Sequence, residues 1–222
     1  MQKLSAATLI ASMCVLTSCM ANPGPPPVEE KPAAASTETE TPTPVEEEES
    51  TERETVAIGV DPLSSGLNPH LVANNNELVS QIAELVLPSA FHGEHMDTDV
   101  LASAEEVQPP EGVAQRVVYK IASPAQWSDG TPISGSDFHY LWTQMTSTAG
   151  VSDAAAYYAI KEVNTSSAGR VVTVDFSERV ADWHSLFAHL LPSHLLQDAE
   201  FTRALADGIP ASAGRYSVAG VD

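Results

Sequence analysis

Histidines and carboxylates come first, because together they hold metals and move protons. His92-Gly93-Glu94-His95 sets two imidazoles three apart around an acid. A metal site needs a third and usually a fourth ligand, and the neighbouring sequence offers none, so the run reads as a polar surface loop. His184, His189 and His194 recur at steps of five, which rotates around a helix instead of aligning on one face. Ser64-Ser65-Gly66 lacks the Gly-x-Ser-x-Gly elbow of a hydrolase nucleophile. Asp129, Asp137 and Asp153 fall at turn and cap positions and make no catalytic pair. No phosphate loop or dinucleotide fingerprint is present. These residues point to no catalytic group, no metal and no cofactor, and to a protein that is not an enzyme. The strongest ligand candidate is the loop Leu63 to His70, centred on Ser64, Ser65, Gly66, Leu67 and Asn68. It follows a predicted strand, and loops at strand ends carry binding in α/β folds. The competing reading is a plain connection.

The elements that must position these residues can be read from periodicity. Val56 to Val60 reads as an opening strand. A helix is predicted over Asn76 to Leu87, with Leu78, Ile82, Leu85 and Val86 as its apolar stripe, an Asn cap and Pro88 as its stop. Arg116 to Ile121 and Arg170 to Phe176 read as strands. Between them, Ser134 and Asp137 form a capping box, and Phe138, Leu141, Trp142 and Met145 recur at helical spacing. Trp183 to Leu191 and Glu200 to Ala206 read as helices, and Arg215 to Val221 as a strand. The fold class expected is α/β, with mixed α and β elements.

The N-terminus carries a different signal. Lys3 precedes an apolar stretch, Leu4 to Leu16, that is shorter than the ~20 residues needed to span a bilayer. It ends at Leu16-Thr17-Ser18-Cys19. This pattern resembles the lipobox of bacterial lipoproteins, which implies a signal peptide over 1–18 and lipidation, palmitate included, at Cys19. Cys14 is the only other cysteine and leaves with the signal, so the mature chain is expected to have no disulfide. Residues 19–55 read as a disordered tether. Residues 20–55 hold seven prolines, and ten glutamates face only Lys31 and Arg53, a composition with little to bury. Such a segment reaches roughly 100 Å as polyproline or about 30 Å as a flexible coil.

Net charge is −20. Residues 56–222 carry −13 of it, from 20 acids against 7 Lys and Arg. No basic patch is present, so nucleic acid and anionic headgroups are poor partners by simple repulsion.

One segment carries a specific resemblance. Gln126-Trp127-Ser128-Asp129-Gly130-Thr131-Pro132-Ile133, running on to Asp137-Phe138-His139-Tyr140-Leu141-Trp142, resembles the signature of the extracytoplasmic solute-binding proteins of peptide and nickel ABC importers, family 5. Leu67-Asn68-Pro69, Val172 to Phe176, Leu191-Pro192-Ser193-His194-Leu195-Leu196 and Gly214-Arg215-Tyr216 are similar to further family segments in the same order, with Arg215 where the family has Pro. Gly59-Val60-Asp61, Gly66 to His70 and Leu85 to Phe91 resemble the actinobacterial LpqW branch. That branch is associated with control of phosphatidylinositol mannoside and lipoarabinomannan synthesis, through membrane mannosyltransferases.

The resemblance implies that 56–222 is the first lobe of a type II periplasmic-binding-protein-like fold, incomplete. It implies a lipid-anchored protein at the extracytoplasmic face of the cell membrane, with a peptide or glycolipid ligand. Its partner would be a membrane mannosyltransferase or an ABC permease. A peptide-binding importer component and a truncated chain without function are the alternatives. Within the signature, Trp127, Ser128, Asp129, Gly130, Asp137 and Phe138 are expected to be structural. Asp129-Gly130 suits a tight turn with Gly at positive φ, and Trp127 suits a core plug.

Overall fold

Gln115 to Ile121 alternates buried and partly exposed residues, with Gln115, Val117, Tyr119 and Ile121 turned inward. Period two is the mark of a strand with one covered face. In a computed structural model, which describes Gly59 and residues 66–219, this strand is β4 of a four-stranded antiparallel sheet of order β3-β4-β6-β5. The other strands are β3 (Leu101–Val107), β5 (Ile160–Ser166) and β6 (Val171–Phe176). A separate two-stranded hairpin is made by β1 (Phe91–His92) and β2 (His95–Met96).

Cross-strand pairs Val117–Val174 and Tyr119–Val172 build the inner face. On the other face Arg116 stands opposite Asp175 and grips it bidentately at 2.6 and 2.7 Å, a strong geometry for an ion pair. An antiparallel sheet tolerates one polar face.

The inner face is covered by α2 (Gly135–Ser147). It starts at the capping box Ser134/Asp137, as the sequence predicts. Its residues Phe138 and Leu141 are fully buried. Gly135 is required where the helix meets the sheet, since a Cβ there would collide with Thr165 Cγ2. An aromatic cluster fills the centre: Tyr119 lies 5.6 Å from Phe138 and 5.9 Å from Trp183, and Phe138 lies 4.9 Å from Phe187. The remaining helices are α1 (Glu77–Val86), and two single turns, α3 (Ala155–Tyr158) and α4 (Ser193–Leu196).

Several expectations need correction. Trp183 to Leu191 is not a helix. A 3₁₀ turn covers Trp183–Ser185, after which Phe187 and His189 adopt positive φ of 60° and 49°. The segment buries Leu186, Phe187, Leu190 and Leu191, a helical spacing that its backbone does not follow. Its backbone instead bonds outward: Phe187 N–H to the Tyr157 hydroxyl, His189 N–H to the Ser89 hydroxyl, Leu190 N–H to the Pro88 carbonyl. Glu200 to Ala206 is a string of turns whose amides reach three residues back, the spacing of 3₁₀ and not α structure. Residues 215–219 form no strand.

In α1 the buried residues are Val79, Ala83 and Val86. Leu85, assigned to the apolar stripe, is 50% exposed, because the core contacts the helix one residue round from that stripe. β3, β5, the hairpin and α3 have no counterpart among the sequence expectations. The predicted strand 56–60, the tether and Cys19 lie outside the described residues, apart from Gly59.

Candidate functional site

Asp137 is where the signature residues meet. Its Oδ2 accepts from the Ser134 amide at 3.0 Å and the Trp127 indole at 3.3 Å. Its Oδ1 accepts from the Ser193 amide at 2.9 Å and the Ser193 hydroxyl at 2.7 Å. Asp137 is 2% exposed and Trp127 1%, so one buried carboxylate joins the Trp-Ser-Asp-Gly turn, the start of α2 and the Leu-Pro-Ser-His turn. Four donors satisfy it as an anion.

The turn itself is closed by Gly130 at φ +86° and by Asp129, whose Oδ1 accepts from the Thr131 amide at 2.8 Å. Asp129 Oδ2 meets His194 Nε2 at 2.6 Å. The hydrogen bond from His194, then that from Thr131, holds the Asp129 carboxyl down at about 2. These groups are engaged with one another.

The turn has a second output. The Ser128 amide bonds the Ser212 carbonyl at 2.6 Å, and the Ser212 amide returns to the Ser128 hydroxyl at 3.1 Å. One and two residues on, the amides of Ala213 and Gly214 both bond the Val86 carbonyl at the end of α1. A Cβ at Gly214 would collide with the Leu85 carbonyl, so glycine permits this approach. The chain from 212 to 214 is thereby stitched between turn and helix, and it delivers Arg215 and Tyr216 to the mouth of a cleft.

That cleft, of about 730 Å³, is the candidate site, within the usual range for solute pockets. Glu84, Leu87 and Pro88 from the end of α1 form one wall. The hairpin supplies His92, His95 and Met96, and the loop after it supplies Asp97 and Asp99. Ala125, Gln126 and Ile133 floor it beside the turn, and Arg215 and Tyr216 close the mouth. Tyr216 is 60% exposed, which leaves a ring face free to stack. Three carboxylates and one guanidinium therefore face the same space. Burial raises Glu84, but hydrogen bonds from His189 and His92 outweigh it and hold this carboxyl below its ordinary value. Glu84 is thus anionic at neutral pH, and the wall is rich in acceptors, with donors from arginine and imidazole.

The candidate loop sits elsewhere. Leu67 and Asn68 are buried. Asn68 donates to the Phe201 carbonyl at 3.0 Å and accepts from the His70 amide at 3.1 Å, and a Cβ on Gly66 would come within 2.8 Å of the Leu205 carbonyl oxygen. Residues 66–68 thus pack against 201–206. Ser64 and Ser65 lie outside the described residues. The cleft acids were not singled out from the sequence. The paired imidazoles His92 and His95, and Arg215 where the family has Pro, are the two signals of this cleft that the sequence carries. No group of three or more metal-ligating side chains is assembled among the described residues.

Two Mycobacterium tuberculosis proteins align with the chain. It is 34% identical over 177 residues to the probable monoacyl phosphatidylinositol tetramannoside-binding protein LpqW, covering 75% of this chain and 28% of that one. It is 29% identical over 168 residues to the oligopeptide-binding protein OppA, covering 69% of this chain and 27% of that one. Among solved structures, the periplasmic EDTA-binding protein EppA superposes with a TM-score of 0.64 at 32% identity, over 71% of this chain and 32% of that one.

The chain is homologous to the family 5 solute-binding proteins. AppA from Bacillus subtilis, solved with a nonapeptide, superposes with a TM-score of 0.55 at 15% identity, covering 71% of this chain and 32% of that one, and supports the same fold. The homologue spans 28% of the length of LpqW. No protein-family model matches it. The mixed α/β fold is therefore that of part of a periplasmic solute-binding protein, and the Asp137 junction holds that part of the fold together.

Proposed function

We propose that this chain is part of an extracytoplasmic solute-binding lipoprotein of the LpqW kind, whose cleft takes the mannosyl headgroup of a phosphatidylinositol mannoside. The observation that carries the reading is the 34% identity to a protein named for that ligand. The cleft chemistry agrees with it. Carboxylates at 84, 97 and 99 accept from vicinal hydroxyls, Arg215 donates to them, and the Tyr216 ring offers an apolar face to a sugar. Cys19 is the anchor in this reading, holding the protein at the outer face of the cell membrane, where it acts on a mannosyltransferase of lipoglycan synthesis.

The test has three arms. Vesicles of phosphatidylinositol with and without the mannoside are titrated into the chain, beside an oligopeptide. Saturable binding to the mannoside vesicles alone is expected. Binding to the peptide alone would instead favour the second reading, a peptide-binding component working with an ABC permease, which the OppA match supports. For the anchor, Cys19→Ala is expected to release the protein from membranes; retention would contradict it.

A further inference from the structure

Glu84 receives two imidazoles. Its Oε1 lies 2.6 Å from His92 Nδ1 and its Oε2 lies 3.2 Å from His189 Nε2. The other nitrogen of His92, Nε2, lies 3.4 Å from Asp97 Oδ2. Carboxylate oxygens only accept, and a neutral imidazole has a single N–H. With acids on both nitrogens, His92 donates on both sides only as an imidazolium. When neutral it turns a lone pair toward one of them. The ring ties together three pieces of chain: α1 through Glu84, the hairpin that carries it, and the loop beyond β2 through Asp97.

This junction is a partition. Glu84 and His92 line both the 730 Å³ cleft and a second cleft of about 410 Å³ behind it. The hairpin has only two paired residues per strand. So short a ladder is not stable unaided. Backbone bonds flank it, from the Ala90 amide to the Phe187 carbonyl and from the Asp97 amide to the Ala90 carbonyl, Phe91 packs on Trp183 at 5.4 Å, and His92 makes the side-chain polar ties. Across the second cleft, the 186–191 segment is held with Phe187 and His189 at positive φ, a strain that needs local contacts to persist.

We propose that protonation of His92 fastens the β1–β2 hairpin to α1 and narrows the solute cleft, and that deprotonation loosens this wall. The groups facing His92 are Glu84 on α1, Glu94 and His95 on the hairpin, and Asp97 and Asp99 after it. Asp182, His184 and His189 face it across the smaller cleft and Arg215 across the larger. His184 and His189 repel it once they too are charged, and Glu84, bonded to His189, screens that ring. The device acts on the wall whatever solute the cleft takes, so it stands apart from the glycolipid reading.

The test is amide hydrogen exchange on the 222-residue chain at about pH 5.5 and pH 8, which bracket imidazole titration, corrected for intrinsic rates. Residues 91–97 are expected to be several-fold better protected at the lower pH. That contrast should vanish in His92→Gln and shrink in Asp97→Asn. Equal protection at both pH values, or a contrast that persists in His92→Gln, overturns the proposal. Should His92→Gln fail to fold, ¹⁵N spectra of the native imidazoles decide. Both His92 nitrogens protonating in step with hairpin protection supports the clasp, and titration without any change in protection refutes it.

Discussion

Asp137 is a cap residue and a core residue at once. In sequence its role as the helix-start acid is legible from Ser134 three residues earlier. Its bonds to Trp127 and Ser193 are not, because Ser193 lies 56 residues away and only the tertiary fold brings it near. Replacing it with Asn leaves the volume but turns an amide nitrogen toward donors. Asp137→Asn is expected to cost about 2–4 kcal/mol of unfolding free energy in urea; a loss under about 0.5 kcal/mol would show that the junction is dispensable.

His70 makes a second prediction at this scale. It is fully buried, and its Nε2 donates to the His189 carbonyl at 2.9 Å. Desolvation pushes it from 6.5 down to about 4, with that hydrogen bond working in the other direction. Between those values the unfolded chain takes a proton that the folded one refuses, so stability is complete above 6.5 and lost as pH falls toward 4. From pH 7 to pH 5 the loss from this group is about 2 kcal/mol. It should be absent in His70→Gln, as read by denaturant titrations at the two pH values.

At the scale of elements, what can be read in advance is what carries its own signal. Helix α2 has a cap, a period and a turn before it, and β4 and β6 have β-branched runs. The segment 183–191 carries the apolar spacing of a helix, while its backbone partners are scattered over Tyr157, Ser89 and Pro88. Strand β5, Ile-Lys-Glu-Val-Asn-Thr-Ser, is polar at most positions and is a strand only because β6 pairs with it. The close seat of α2 on β5 is testable. Gly135→Ala should destabilise the chain by roughly 1–3 kcal/mol through overpacking. Adding Thr165→Ser, which removes the methyl group the new Cβ would strike, should recover most of that in thermal unfolding. Failure of the second change to help would place the strain elsewhere.

Across the whole molecule, the sequence carried the family, helices α1 and α2 and the central strands β4 and β6, but neither the edge strands nor the cleft. Glu84, Asp97, Asp99 and Arg215 lie on three separate stretches of chain, and each alone is an ordinary surface charge. They converge because the Trp-Ser-Asp-Gly turn holds 212–214 against the end of α1 and because the hairpin folds back beside it. The signature motif is thus a positioning device, and the cleft acids Glu84, Asp97 and Asp99 lie outside every motif read from the sequence.

That claim has a direct measurement: amide chemical shifts of the ¹⁵N-labelled chain titrated with phosphatidylinositol mannoside. The expected result is a saturable set of shifts confined to residues 84–88, 92–100, 124–126 and 213–216, lost in the Asp97→Asn, Asp99→Asn, Arg215→Ala triple variant. Shifts centred on other surfaces, or full binding by the triple variant, would contradict the assignment of this cleft as the solute site.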